Sequence, residues 1–273
     1  MTDHTFQTDR PVHLVTEIGK GSVSITATET ATTTVEVTGR DADQVEVRQD
    51  GDRVSVIGPK QWGFFGADHG VDVRVTLPTG SDLAIKTGSA DVAVSGVVGS
   101  GQVKSGSGDV ALAVAAGPLL VETGSGDIRL GDLRADARVK SGSGDVDVTD
   151  AAASLVVSTG SGEIALGHTR GQVVVKTGSG DVKVGEAETD LTMSTGSGDL
   201  VVHTARRGRL TAKGASGDVR VGVPAGLPVW TDISTVSGRI RSDLQSAGRP
   251  EDGADHLELR AKVVSGDVVL TEV

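Results

Sequence analysis

A corner sequence of the form T/S-G-S-G-D recurs through the middle of this chain at a fixed interval of 18 residues. TGSADV occupies 87–92, SGSGDV 105–110, TGSGDI 123–128 and SGSGDV 141–146. TGSGEI follows at 159–164, TGSGDV at 177–182 and TGSGDL at 195–200. The acidic residues Asp91, Asp109, Asp127, Asp145, Glu163, Asp181 and Asp199 thus fall 18 apart, and Asp218 follows after 19. A fixed period means that every unit returns the chain to the same phase. Units too small to bury an apolar face alone do so by stacking on their neighbours.

Within a period the larger apolar residues alternate by two. After Asp145 they are Val146 and Val148, then Leu155 and Val157; after Asp181 they are Val182, Val184, Leu191 and Met193. After Asp127 they are Ile128, Leu130, Leu133 and Val139. Alternation by two is a strand pattern. A helix would need 3.6 spacing and would lose about 1 kcal/mol at each interior Gly. Each unit therefore reads as a strand, a bend near a small residue (Gly99, Gly117, Ala135, Ala153, Gly171), a second strand and the Gly-rich corner. The expected fold is all-β: a single-stranded parallel β-helix, or solenoid, of roughly ten coils spaced about 4.8 Å apart. A right-handed coil is expected, because parallel crossovers are right-handed.

Composition agrees with stacked strands and tight turns. The chain has 39 Gly against 7 Pro, no Cys and only 2% aromatic residues, so its core must be Val, Leu, Ile and Ala and cannot use disulfides or thiolate metal sites. A net charge of −11 argues against nucleic acid or an anionic membrane surface as partner. The opening MTDHTFQTDRP has no apolar core of a leader, and no stretch of about 18 apolar residues follows. The expectation is a cytoplasmic protein, with an extracellular one requiring that a leader has been removed.

One continuous domain is expected, in four segments. Residues 1–10 form a disordered N-terminus, 11–86 irregular coils and a cap, 87–221 the regular block, and 222–273 the last coils and a cap. In 60–70 and 246–256 the pattern is interrupted. Trp62, Phe64 and Phe65 can fold over an open end of the core or offer a partner contact. Trp230 is expected to pack in the last coils. The ends could also join copies of the chain into a homo-oligomer.

The acidic residues form a column in the stack, in which each neighbouring pair of carboxylates repels by roughly 0.9 kcal/mol in a water-like dielectric. The bland reading is that each accepts bonds from corner N–H groups. The sharper one is a Ca²⁺ ladder through Asp109, Asp127, Asp145, Glu163, Asp181 and Asp199. The calcium-roll pattern GGxGxD differs from GSGD, and its period is 9. The Ser/Thr positions 105, 123, 141, 159, 177 and 195 have inward phase, so their hydroxyls should bond along the stack or to the corner. The six His show no metal spacing. Gly-x-Gly opens no helix and so is no phosphate loop. The outward column Lys104, Glu122, Lys140, Ser158, Lys176, Ser194 places no two like charges side by side.

The corners, the segment VTEIGKGSVSITA and the tail VWTDISTVSGRIRSDL…RPEDGADHLELRAKVVSGDVVL together resemble domain of unknown function 4097, a β-strand-repeat family labelled "putative adhesin". The resemblance runs over 12–273. It implies a β-helix fold and brings no reaction, cofactor or catalytic residue. In the tail Arg239 stands where the family has a polar or acidic residue, which should break the acidic column. The reading is a non-catalytic scaffold or adhesin-like interaction protein, not an enzyme, that binds no cofactor and meets an unknown protein partner. The alternatives are a Ca²⁺-binding solenoid and, behind it, a carbohydrate-active β-helix enzyme.

Overall fold

The computed structural model describes residues 1–59, 70–245 and 255–273. They form two compact units, Met1–Ala137 and Arg138–Val273.

In the first unit the strands are β1 (Thr2–Gln7), β2 (His13–Ile18), β3 (Gly21–Thr28), β4 (Thr32–Gly39), β5 (Glu46–Asp50), β6 (Arg53–Ile57), β7 (Val71–Pro78), β8 (Asp82–Thr87), β9 (Asp91–Val98), β10 (Gly101–Ser105), β11 (Val110–Ala115), β12 (Leu119–Thr123) and β13 (Ile128–Leu133). One sheet has the order β1-β4-β7-β3-β9-β11-β13 and the other β5-β6-β2-β8-β10-β12. The pairs from β7 to β13 and from β6 to β12 are parallel, whereas β1–β4, β4–β7 and β5–β6 are antiparallel.

The second unit contains β14 (Ala137–Ser141, starting at the last residue of the first unit), β15 (Val146–Ala151), β16 (Leu155–Ser161), β17 (Ile164–Thr169), β18 (Val173–Ser179), β19 (Val182–Ala187), β20 (Leu191–Ser197), β21 (Leu200–Ala205), β22 (Gly208–Ser216), β23 (Val219–Val223), β24 (Val229–Ser237), β25 (Ile240–Ser242), β26 (Leu257–Ser265) and β27 (Val268–Glu272). Its sheets run β15-β17-β19-β21-β23-β27-β25 and β14-β16-β18-β20-β22-β26-β24. All pairs from β15 to β25 and from β16 to β24 are parallel. The chain is thus an all-β, two-strand-per-coil parallel solenoid built on the 18-residue repeat, and among the described residues it has no α-helix.

The register turns the sequence alternation into columns. Val146, Ile164, Val182, Leu200, Val219 and Val268 stack in one sheet, and all are at most 1% exposed. Leu155, Val173, Leu191, Leu210 and Leu259 face them from the other sheet. Fully burying one Val or Leu side chain contributes about 1.5–3 kcal/mol. In β11 the inward residues are Val110, Leu112 and Ala115, so the phase slips by one before the bend at Gly117; β9 and β11 shift register at the same place. Corner glycines are required by the close approach of coils. A Cβ on Gly126 would lie 2.2 Å from the carbonyl oxygen of Gly108.

Stack order departs from chain order in both units. The β2/β3 coil lies between the β6/β7 coil and the β8/β9 coil: Leu14 is opposite Val54 on one side and Leu83 on the other. The β26/β27 coil lies between β22/β23 and β24/β25, with Leu259 between Leu210 and Thr231. The composition of the strands explains the exchange. β26 supplies Leu257, Leu259, Ala261 and Val263 to the core, whereas the same phase of β24 supplies Thr231 and Thr235 beside Val229 and Ile233. The more apolar coil takes the place with neighbours on both sides.

Candidate functional site

The acidic column is a ladder of side-chain to backbone bonds. In the first unit the N–H of Asp109 donates to Oδ1 of Asp91 and that of Asp127 to Oδ1 of Asp109, both at 2.9 Å. In the second unit the N–H of Glu163 donates to Asp145 at 2.7 Å. Asp199 donates to Asp181 at 2.9 Å, Asp218 to Asp199 at 2.8 Å and Asp267 to Asp218 at 2.9 Å. The last rung is the N–H of Arg239 on Oδ1 of Asp267 at 2.8 Å. Each donor belongs to the next coil, so the corner N–H groups that hold the carboxylates come from across the stack. A hydrogen bond to a charged group contributes about 1.5–3 kcal/mol, more than the repulsion between neighbouring carboxylates. Arg239 does not interrupt the column, because Asp267 is inserted ahead of it and leaves Arg239 at the end.

Basic side chains take up much of the remaining charge. Arg129 reaches Asp127 at 3.0 Å, Lys183 reaches Glu163 at 2.7 Å, and Arg220 bridges Asp199 at 3.0 Å and Asp218 at 2.6 Å. The hydrogen bond from Lys183 to Glu163 raises the lysine above its ordinary value. The column therefore offers carboxylates that already accept backbone N–H groups and, in several coils, face a cation. Among the described residues no group of three or more His, Asp or Glu side chains is placed to hold a metal ion.

The Ser/Thr column is buried, at 7–9% exposure, and bonds to its own corner rather than along the stack. Ser105 Oγ donates to the carbonyl of Gly108 at 3.0 Å, and Thr159 Oγ1 to that of Ser161 at 2.8 Å. Ser141 Oγ accepts the N–H of Gly144 at 2.9 Å. Thr177 Oγ1 is buried with no hydrogen-bond partner. In the outward column Lys104 meets Glu122 at 3.1 Å. On its other side, however, Lys104 stands directly opposite Lys86, so the column does hold one pair of like charges in the first unit. His168 and His203 are exposed; His168 Nε2 lies 3.4 Å from Glu186.

Trp62, Phe64 and Phe65 lie outside the described residues. Trp230, expected to pack inside, is 53% exposed, and the Arg260 guanidinium sits over its ring at 5.7 Å. Arg209 and Arg260 both bind Glu258, at 2.6 and 2.5 Å, and the bond from Arg209 is the main reason the Glu258 carboxyl is held below its ordinary value. Alternation put Trp230 on β24 but could not show which face of an end strand is covered. Among the described residues the exposed large apolar ones are Met1, Trp230, Val236, Ile240, Val264 and Val273. All but Met1 lie in the last two coils of the second unit or at their end. In the first unit a shallow cavity of about 270 Å³ is lined by Gln7, Asp9, Arg10, Gln49 and Asp52 among others. No helix among the described residues is long and apolar enough to cross a membrane.

Stacked two-strand coils, joined at their corners by a ladder of side-chain to backbone bonds, define a parallel β-solenoid. The family model described as Toastrack, DUF4097, matches residues 13–188 and 167–271, and the chain belongs to that family. No curated protein matches it. Among solved structures it is similar to a "putative adhesin" from Bacteroides fragilis, at 12% identity over 99% of this chain and 96% of that one, with a TM-score of 0.38. A "putative lipid binding protein" from Parabacteroides distasonis is 13% identical over 99% and 96%, with a TM-score of 0.40. A "putative cell adhesion protein" from Clostridium sporogenes is 9% identical over 100% and 99%, with a TM-score of 0.22.

Proposed function

We propose that the chain is a non-catalytic, adhesin-like scaffold whose flat outer sheet faces meet a protein partner. The observation that carries this reading is where the repeat directs its polar groups. The carboxylates of the corner column accept N–H groups of the next coil, and most of the inward hydroxyls bond their own corner. What the regular block turns outward is an array of polar and charged side chains. On the β16-β18-β20-β22-β26 face of the second unit the outward column reads Ser158, Lys176, Ser194, Lys213, Lys262. A flat, polar array suits a protein surface better than a small molecule, which favours concave apolar sites.

The Ca²⁺ ladder is the weaker reading. It needs six to eight oxygens per ion, and one oxygen of each rung is already engaged. Thermal melting in EDTA and then in millimolar Ca²⁺ separates the two. The scaffold reading expects the same melting temperature in both. A rise of several degrees would replace it with the ion ladder, since a ligand of the native state stabilises by mass action.

A further inference from the structure

From the free edge of β24 we infer that the chain forms a closed, two-fold dimer in which β24 pairs antiparallel with β24 of a second copy. Among the described residues, β24 and β25 end the two sheets of the second unit, and β24 leaves one side of a nine-residue strand unpaired. Such an edge is a template for another strand unless it is blunted by charge, proline or a covering segment. The strands that end the sheets of the first unit are blunted. β5 carries Glu46, Arg48 and Asp50 in five residues, and β1 is a short antiparallel strand with no exposed large apolar residue. β24 reads VWTDISTVS, with one charge and no proline. Within it Val236 is 82% exposed, and in the neighbouring strands Val264 is 55% and Ile240 51% exposed.

The strand is complementary to itself. An antiparallel pairing centred on Ile233 sets Trp230 opposite Val236, Thr231 opposite Thr235 and Asp232 opposite Ser234 of the second copy. Inward residues meet inward residues, and outward residues meet outward ones, as the pleat requires. Aromatic with β-branched and Thr with Thr are favourable cross-strand pairs. The neighbouring register centred on Asp232 would place two carboxylates face to face. The end coil is also electrically neutral: residues 229–245 hold Asp232 and Asp243 against Arg239 and Arg241, whereas the whole chain carries −11. Contact at this end therefore sets no net charge of one end coil against the other. Because the end strands of the first unit are blunted, association stops at two copies.

The inference goes beyond the flat-face reading and is independent of it, since a monomeric chain would still present the same outer faces. Sedimentation velocity of the full chain between about 1 µM and about 1 mM tests it, a range that covers weak to moderate association. A monomer–dimer equilibrium is expected. Ser234→Asp should weaken the dimer about tenfold by facing Asp232 of the second copy, and Ser234→Lys should tighten it. Inside the chain position 234 neighbours Lys262 on β26. Ser234→Asp is therefore favourable to the fold, and a lost dimer cannot be blamed on unfolding. The inference is overturned by a single monomeric species at every concentration, by a Ser234→Asp chain as dimeric as the wild type, or by growth beyond two copies.

Discussion

Asp267 donates its backbone N–H to Oδ1 of Asp218 at 2.9 Å, although 49 residues separate the two. The rungs before it join residues 18 or 19 apart, and the one after it, from Arg239 to Asp267, spans 28. The long step marks the insertion of the β26/β27 coil between coils that are consecutive in sequence.

That insertion fixes which coil is interior, and two truncations report it. Leu259 is fully buried between Leu210 and Thr231, whereas Ile240 is 51% exposed on the end coil. Leu259→Ala should cost about 2–5 kcal/mol. Ile240→Ala should cost less than about 1 kcal/mol, within the range of surface changes. Urea unfolding midpoints check both, and equal costs would contradict the stack order.

The buried hydroxyl column offers a contrast at near-constant shape. Thr177 Oγ1 has no partner, while Ser141 Oγ holds the N–H of Gly144. Thr177→Val removes an unsatisfied polar atom and should stabilise by about 1 kcal/mol. Ser141→Ala strands an N–H and should destabilise by about 1–2 kcal/mol. Denaturant unfolding of the two variants should therefore shift in opposite directions.

Acid should act partly through Glu258. Hydrogen bonding to Arg209 first, and to Arg260 as well, holds its carboxyl below the ordinary value of 4.5. As pH falls from that value, the unfolded chain takes up this proton before the folded one does, so stability falls with pH through the folded titration. Glu258→Gln removes this contribution. Its unfolding midpoint should lie below that of the wild type near neutral pH, and the difference should shrink as the pH drops under 4.5. A constant difference across that range would assign the effect to packing instead.

Much of this architecture was legible in the residues. The spacing of Asp109, Asp127 and Asp145 gave the coil length, and the alternation of Val146, Val148, Leu155 and Val157 gave both strands and their inward face. The bends fell at Gly99, Gly117 and Ala153 as read. The order of the outer coils was not legible, because a strand such as β26 carries the same alternation wherever it is inserted. Only its higher apolar content relative to β24 hinted that it would be interior. The Asp ladder was half legible: an Asp after Gly at a corner announces an acceptor, but its donor lies one coil away, and a local turn argument cannot see it. The exposure of Trp230 escaped for a related reason. A sequence shows which strand a side chain rides on, but not whether another coil lies beyond it.

The inserted coil also has a consequence for how the protein is made. The ribosome releases residues 229–242 before 257–273, yet the later segment lies inside the earlier one. Vectorial growth, coil upon coil, can therefore proceed through β23 but not beyond. Until β26 and β27 emerge, the coil of β24 and β25 must either wait undocked or give up a provisional seat on β22 and β23. Completion of this end is thus a single late event rather than one more increment of the stack, and a nascent chain stopped short of residue 257 would present an unfinished core to the quality-control machinery of its cell.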